Sequence, residues 1–150
     1  MGFENAIEFE RWWGRNGNIF ESEALAIEEV MPDSTDDAIV IGNGTGKFAL
    51  RLGIPFGVDP SDSMCELARK KGIDAVRGTA ENVPFADEQF SLALMIGVLS
   101  YVDDIEESLQ EAARILKPDG AIVVAFLAKG RNFANLYERA AEEGEYPEGE

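Results

Sequence analysis

The stretch AIVIGNGTGKFALRLGIPFGVDPSDSM, residues 38–64, decides how this chain folds. Its first four residues are apolar, as in a buried strand, and three closely spaced glycines follow them. Phe48 and Leu52 then lie four residues apart, at the spacing of a short helix that the following glycine can end with a left-handed cap. A second apolar strand ends at Asp59. The stretch therefore predicts a strand-helix-strand unit with a glycine loop after its first strand.

The rest of the chain alternates helix and strand patterns. FSLALMIGV at 90–98 is apolar without alternation, which is typical of a parallel strand covered on both faces. DAVRG at 74–78 and AIVVAFLA at 121–128 indicate two further strands. Five strands that alternate with helices predict an α/β fold, a doubly wound and mostly parallel Rossmann-like sheet with helices on both faces and the strand order 3-2-1-4-5.

Local patterns also predict how the helices begin, end and face the core. Ser63 with Glu66 fits a capping box, which would open the helix after the second strand. Pro-Asp-Gly at 118–120 predicts a turn before the fifth strand. The apolar residues at helical spacing are Leu25, Ile27, Val30 and Met31 in the first segment and Ile105, Leu109, Ala112 and Leu116 in the segment before that turn.

Charge and rare residues exclude several classes of function. The net charge of −16 repels nucleic-acid phosphates and anionic lipids, although acidity also serves solubility without any partner. Histidine is absent and Cys65 is the single cysteine, which excludes Ser-His-Asp and Cys-His nucleophile systems and predicts no metal site. No run approaches the roughly 20 apolar residues of a membrane span, and the start lacks a secretory pattern. We therefore expect a cytoplasmic protein without nucleic acid or membrane partners.

The glycine loop and the acid after the second strand suggest a ligand. Gly42, Gly44 and Gly46 let a ligand approach the backbone at the carboxyl ends of the strands, and the amides at the next helix start favour a carboxylate or phosphate. Asp59 can accept both hydroxyls of a ribose, so an adenosine-containing ligand fits. The alternative is a tight turn and a helix cap. Lys47 stands where a dinucleotide loop needs its third glycine, and the spacing does not match a Walker loop either.

Four motifs follow one another in order along the chain: VIGNGTG at 40–46, GVDPSDSMCELARKKG at 57–72, GTAENVPFADEQFSLALM at 78–95 and LKPDGAIVV at 116–124. They resemble DxGCGTG, GxDxSxxMLxxA, GDAExLPFxDxSFDxV and LKPGGxLxx of the class I S-adenosylmethionine-dependent methyltransferases, of the small-molecule, methyltransferase type 11-like kind. The resemblance covers roughly residues 20–128. It implies S-adenosyl-L-methionine as the cofactor, S-adenosyl-L-homocysteine as its product and a small-molecule methyl acceptor.

The resemblance also implies a set of cofactor contacts. The backbone of the glycine loop would line the methionine part, the acid after the second strand would hold the ribose, and the next helix would reach the adenine, although its methionine suits core packing equally well. Residues before and after the fourth strand would complete the site at the adenine edge and beneath the reacting sulfur. The implied residues are Gly42, Asn43, Gly44, Asp59, Pro60, Met64, Thr79, Ala80, Glu81, Gly97 and Val98.

Three positions depart from the family pattern. Val40 replaces the acid of the first motif, Thr79 replaces the acid often found at the adenine edge, and Ser91 replaces the usual aspartate after phenylalanine. The family's common histidine after the fourth strand is also missing. Tyr101 and Asp103 are the nearest polar candidates for a base, but a structural role suits Tyr101 better, and Asp103 or Asp104 is better explained as a helix cap. The catalytic residue is therefore unknown.

We expect one domain over residues 1–150, divided into a helical lid or cap at 1–31, a core at 32–128 and a terminal helix with an acidic tail at 129–150. Trp12 and Trp13 either pack the first helix onto the sheet or cover the donor. The family usually adds two strands after the helix that begins near Asn132. Because these strands are absent here, three explanations stay open: a truncation, a short form that dimerises through the exposed sheet edge, and a donor-binding domain without turnover.

The leading hypothesis is methyl transfer to a small acceptor by in-line displacement. A sulfonium is already a strong electrophile, so alignment of the two reactants can supply about 7–11 kcal/mol without a positioned base. The first alternative is a noncatalytic or truncated S-adenosylmethionine-binding domain that acts through a partner. Val40 in the first motif and the missing carboxyl-terminal strands motivate it. The second is a nicotinamide oxidoreductase, which the spacing of the glycines disfavours.

Overall fold

The computed structural model of the protein describes residues 6–126, and this part of the chain alternates strands and helices. The strands are β1 Ala38–Ile41, β2 Phe56–Asp59, β3 Asp74–Arg77, β4 Phe90–Ile96 and β5 Leu116–Ala125. The helices are α1 Ala6–Arg15, α2 Gly17–Glu28, α3 Lys47–Leu52, α4 Asp62–Lys70 and α5 Ile105–Ile115, with a short 3₁₀ turn Val98–Ser100 after β4.

The five strands form one sheet in the order β3-β2-β1-β4-β5, and every neighbouring pair is parallel. The chain moves outward from β1 to β3 on one side and then returns to place β4 on the other side of β1. This reversal opens a crevice at the carboxyl ends of β1 and β4. The predicted fold class and strand order are confirmed.

Both faces of β1 are buried, as its apolar sequence predicts. Val40 packs into a cluster with residues of α2, α3 and α4, whereas Ile39 and Ile41 pack into a second cluster with α5. Because side chains alternate along a strand, each face needs its own cover of helices. This two-sided burial fixes β1 rigidly and therefore fixes the loop that follows it.

The first helices are held by an aromatic cluster. Trp12 and Trp13 are 1% and 3% exposed, and their ring centroids lie 4.9 Å apart in an edge-to-face arrangement. Phe20 and Phe48 join them, which ties α1 and α2 to the start of α3. Both tryptophans thus pack within the helices rather than onto the sheet, and Trp13 also lines the pocket described below.

The prediction of which helix faces are buried was partly wrong. The buried residues of α5 are Ser108, Ala112 and Ile115. Ile105 and Leu109 are 51% and 37% exposed, and Leu116 begins β5. Ser108 can lie in the core because its hydroxyl donates to the Asp104 carbonyl one turn earlier, at 2.8 Å.

A similar shift occurs in α2. Leu25 and Val30 are 51% and 65% exposed, while Ala24 and Ile27 are buried. Met31 packs partly against the first cluster, beyond the end of the helix. The prediction is thus confirmed for Ile27 and wrong for Leu25 and Val30, while Ala24 belongs to the buried face without having been predicted.

Two predicted boundaries also need correction. Helix α4 has Ser61 as its N-cap rather than Ser63, and the Ser61 hydroxyl accepts from the Met64 amide at 3.4 Å. The predicted turn at 118–120 lies inside β5 as a bulge, since Phe90 and Leu92 of β4 pair with residues 116 and 121. The end of the predicted fifth strand, residues 127–128, and the predicted terminal helix lie outside the described residues.

Candidate cofactor and acceptor site

The glycine loop is fixed by backbone hydrogen bonds to β2. The amides of Gly42 and Asn43 both donate to the Val58 carbonyl at 2.9 Å. Gly42 has a φ of +76°, and a Cβ there would lie 2.4 Å from Val98 Cγ2. Only glycine fits this position, because both the backbone angle and the neighbouring side chain exclude a larger residue. The loop and the turn after β4 are thus packed against each other.

Asp59, at the end of β2, braces this loop. Its Oδ2 accepts from the Gly44 amide and its Oδ1 accepts from the Ser61 amide, both at 2.9 Å. Burial raises the pKa of the Asp59 carboxyl above its ordinary value, and these two backbone hydrogen bonds oppose that rise. Each carboxylate oxygen has a second acceptor site, so the group retains capacity for the hydroxyls of a ligand.

One pocket of about 730 Å³ opens at the carboxyl ends of β1, β2 and β4. This volume lies in the upper part of the roughly 300–1,000 Å³ typical of small-molecule sites. All of the residues assigned to the cofactor by sequence line it. They are Gly42, Asn43, Gly44, Asp59, Pro60, Met64, Thr79, Ala80, Glu81, Gly97 and Val98. The structure therefore brings the predicted residues together around one space.

The turn after β4 forms one wall of this pocket. Gly97 has a φ of +67°, and a Cβ built there would meet nothing within 4 Å. The open space beside Gly97 is the kind that a ligand can fill without steric conflict. Tyr101 also lines the pocket at the end of this turn.

The Glu81 carboxylate stabilises the same wall of the pocket. Its Oε1 accepts from the Asp103 amide at 3.0 Å and lies 3.3 Å from the Ser108 hydroxyl oxygen, whose single proton is donated to the Asp104 carbonyl. Asp104 caps α5, since its Oδ1 accepts from the Glu107 amide at 2.9 Å. The expectation of a helix cap is confirmed for Asp104, whereas Asp103 lines the pocket and is exposed.

Sequence reasoning missed a second wall of the pocket. Three residues of α2 line the pocket at helical spacing, Glu23, Ala26 and Ile27, and Val30 just after the helix continues this wall. The end of β5 contributes Val123, Val124 and Ala125, Phe126 follows them, and α1 contributes Phe9 and Trp13. The helical spacing in α2 was the available signal, but the exposed Leu25 obscured it.

A network of hydrogen bonds joins α1 to the glycine loop, and no local sequence pattern predicts it. Lys71 Nζ donates to Glu10 Oε1 at 2.7 Å and to the Thr45 carbonyl at 3.0 Å, and the Thr45 hydroxyl also donates to Glu10. Burial raises the pKa of Glu10, but the hydrogen bonds from Lys71 and Thr45 outweigh it and hold this pKa below its ordinary value. The network fixes α1 over the loop.

The departures from the family pattern have different structural consequences. Val40 is 2% exposed and lines the pocket, so the first motif supplies no carboxylate there. Ser91 instead donates to Asp37 Oδ2 at 2.8 Å, a carboxylate that also binds Lys117. Asn43 is 7% exposed, and neither polar atom of its side chain has a hydrogen-bond partner among residues 6–126.

Residues 6–126 contain neither a candidate metal cluster nor a candidate membrane-spanning helix. No group of three or more cysteine, aspartate or glutamate side chains in this part of the chain is arranged to hold a metal ion. None of the helices in the same range combines the length and the apolar character needed to span a membrane.

Comparisons with known proteins identify the family. Residues 39–124 match the methyltransferase domain family. The chain is 31% identical over 141 residues to an uncharacterised protein of Methanocaldococcus jannaschii, covering 94% of this chain and 68% of that protein. The chain therefore belongs to the class I S-adenosylmethionine-dependent methyltransferase family, as its motifs predicted.

Solved structures agree with this assignment. A Thermotoga maritima structure described as an S-adenosylmethionine-dependent methyltransferase, "possible histamine N-methyltransferase", has a TM-score of 0.85 and 39% identity, covering 95% of this chain and 68% of that one. A protein described as "the putative methyltransferase" in a complex with the Haloferax volcanii Trm112 methyltransferase activator has a TM-score of 0.64 and 28% identity, covering 76% of this chain and 58% of that one. This chain thus spans about two thirds or less of these relatives.

Proposed function

We propose that this protein binds S-adenosylmethionine in the 730 Å³ pocket and transfers its methyl group to a small-molecule acceptor by in-line displacement. The observation that supports this most strongly is the convergence of the glycine loop, Asp59 and Gly97 on one space at the strand ends. Backbone amides, a carboxylate and glycines that leave room for a ligand suit a nucleoside joined to an amino acid. When bound, S-adenosylmethionine supplies a methyl group on a positively charged sulfur.

In this proposal Asp59 accepts the ribose hydroxyls while still bracing the loop through the Gly44 amide. The loop backbone lies along the methionine part, and Thr79, Ala80 and Glu81 flank the adenine. Gly97 and Val98 lie beneath the reacting sulfur. The buried strand β1 and the packed turn keep these groups in place before the cofactor arrives, which reduces the cost of ordering them on binding.

The acceptor's lone pair would attack the methyl carbon from the side opposite the sulfur. A bond then forms from the acceptor atom to carbon, the carbon-sulfur bond breaks, and its electron pair passes to sulfur. A proton carried by the acceptor atom leaves to water, and no residue is assigned as base. The protein's contribution is to align the two reactants and exclude water, and alignment can supply about 7–11 kcal/mol.

The alternative is a domain that binds S-adenosylmethionine without turnover and acts through a partner. Val40 motivates it, because the first motif lacks its acid, and the activator complex of the Haloferax neighbour is a precedent for a partner. The description of the Thermotoga neighbour instead supports a small acceptor. A single domain over 1–150, a cytoplasmic location and a homodimer through the β5 edge stay predictions.

Calorimetry with S-adenosylhomocysteine tests the cofactor proposal. We expect binding of S-adenosylhomocysteine and none of NAD, and Asp59→Asn should weaken binding about tenfold or more, because hydrogen bonds to a charged group are worth about 1.5–3 kcal/mol. Asp62→Asn is the matched control, since this exposed side chain binds Arg77 at 3.1 Å, away from the pocket. Unchanged affinity in Asp59→Asn, or binding of NAD instead, would contradict the proposal.

Turnover is a separate measurement. Formation of S-adenosylhomocysteine from S-adenosylmethionine, dependent on an added small acceptor, would support the enzyme. Tight cofactor binding without methyl transfer to any member of a broad acceptor panel would favour the noncatalytic alternative.

A further inference from the structure

The glycine loop has two sets of anchors. Inside the pocket, the Gly44 amide donates to Asp59 Oδ2 at 2.9 Å. Thr45, the next residue, is fully buried and binds two charged side chains, one through its hydroxyl and one through its carbonyl. Those side chains are Glu10 of α1 and Lys71, the C-cap residue of α4. Elements from separate parts of the chain therefore meet on this one loop.

The residues Glu10, Thr45 and Lys71, called here the Thr45 network, lie outside the pocket lining. Lys71 Nζ donates to Glu10 Oε1 at 2.7 Å and to the Thr45 carbonyl at 3.0 Å. None of the three is among the described residues that line the pocket. Both charged side chains are half-buried. An effect of this network on a bound ligand must therefore pass through the residues that it holds, or through the field of its charges.

Two residues that do line the pocket depend on the Thr45 network. Gly44 precedes Thr45 and has a φ of +56°, and glycine can adopt many other backbone angles, so its conformation depends on its neighbours. Phe9 precedes Glu10 in α1, and a Cβ built on Gly44 would lie 3.5 Å from Phe9 Cζ. Gly44 and Phe9 both line the pocket. The network thus places an aromatic ring against the most adaptable point of the loop.

We propose that Glu10 and Lys71 are positioning residues for the cofactor. By holding Thr45 they fix the backbone at Gly44. By docking α1 on the loop they also place Phe9 beside Gly44. The two effects shape the end of the pocket that takes the amino-acid part of S-adenosylmethionine. This inference rests on the proposed function, which assigns that end of the pocket to the methionine part.

The effect should be confined to the amino-acid part of the ligand. At the ribose end Asp59 has a second anchor, since its Oδ1 accepts from the Ser61 amide at 2.9 Å. S-adenosylhomocysteine and 5′-methylthioadenosine share the nucleoside and the sulfur, but only the first carries an amino-acid group. A comparison of the two ligands therefore separates a change at the loop from a general loss of the pocket.

Calorimetry of both ligands with the full chain and its Glu10→Met, Lys71→Met and double variants tests the proposal. Each single substitution should weaken S-adenosylhomocysteine binding about tenfold and change the affinity for 5′-methylthioadenosine less than about threefold. The double variant should lose about as much affinity as either single variant, because either substitution already breaks the network. A field effect differs in sign, since removal of a carboxylate and removal of an ammonium group would shift the affinity in opposite directions.

A second group of the same chemical composition provides the matched control. Lys117 Nζ donates to Asp37 Oδ2 at 2.6 Å, and the Ser91 hydroxyl donates to the same oxygen at 2.8 Å. These residues lie near the amino-terminal ends of β1, β4 and β5 and are not among the described residues that line the pocket. Lys117→Met should lower the free energy of unfolding, as Lys71→Met does, but leave the affinity for both ligands unchanged.

The outcomes separate this inference from the proposed function. Unchanged S-adenosylhomocysteine affinity in both single variants, additive losses in the double variant, opposite shifts for the two substitutions or equal losses for the two ligands would each overturn the positioning role. A loss of affinity in Lys117→Met would also overturn it, because lower stability alone would then weaken binding. Urea unfolding identifies the variants that stay folded, and Lys71→Gln takes the place of Lys71→Met if the latter unfolds. If the unaltered protein does not bind S-adenosylhomocysteine at all, the proposed function itself fails.

Discussion

Replacing Gly42 by alanine should destabilise the fold for two separable reasons. The φ of +76° places a residue with a Cβ in the left-handed region, at a cost of about 1–2 kcal/mol. The new Cβ would also lie 2.4 Å from Val98 Cγ2 and 2.8 Å from Val98 Cβ, and overpacking of this kind costs about 1–3 kcal/mol. We therefore expect Gly42→Ala to lower the free energy of unfolding by about 2–5 kcal/mol.

Gly72 provides the control. Its φ of +90° is also left-handed, but a Cβ there would meet nothing within 4 Å, so Gly72→Ala should lose only about 1–2 kcal/mol. Urea unfolding of both variants, with equal slopes, measures the difference between them. Val98→Ala in the Gly42→Ala background should recover part of the loss. Equal destabilisation by Gly42→Ala and Gly72→Ala would refute the packing of the loop against the turn after β4.

Three further predictions concern Asn43, Asp59 and Lys71. Gly57→Ala should destabilise the protein by about 1–3 kcal/mol, because its Cβ would lie 2.4 Å from Asn43 Cγ. Asn43→Ala, which removes unpaired buried polar atoms, should relieve that loss. Additive effects of the two substitutions in urea unfolding would contradict this contact. Affinity for S-adenosylhomocysteine should fall as pH drops from neutral through the pKa of Asp59, which burial raises, because the ribose hydroxyls donate to the ionised carboxylate. Asp59→Asn should remove this pH dependence. Calorimetry of both proteins across this pH range measures it. Lys71→Met should lower the free energy of unfolding by about 1–2 kcal/mol at neutral pH and by less in acid. The lowered pKa of Glu10 contributes stability that is lost as the pH falls through that pKa. A loss of stability that is independent of pH would argue against the ion pair between Glu10 and Lys71.

The sheet and the glycine loop could be predicted from sequence because their signals are local. The apolar run of β1 and the glycines at 42–46 specify strand and turn within a few residues. The convergence of Asp59 on the loop then follows from the parallel topology, since the carboxyl ends of neighbouring strands meet at one edge. The motifs that resemble a known family lie on this same framework.

The buried faces of the helices, the network at α1 and the α2 wall of the pocket could not be predicted, because they depend on tertiary contacts. Ser108 is buried because its hydroxyl donates to the carbonyl of Asp104, the N-cap of the same helix. The polarity of serine therefore led to a wrong prediction of the buried helix face. The link from Glu10 to Lys71 joins residues 61 positions apart, and no local pattern announces it. Glu23 belongs to the pocket only because of how α2 packs beside β1, which composition and spacing do not determine.

A structure of the protein with S-adenosylhomocysteine bound tests the central claim most directly. We expect the ribose hydroxyls to lie within hydrogen-bond distance of the Asp59 carboxylate, and the homocysteine chain to lie between the glycine loop and Gly97. A ribose bound away from Asp59, or a failure to form the complex at great excess of ligand, would contradict it.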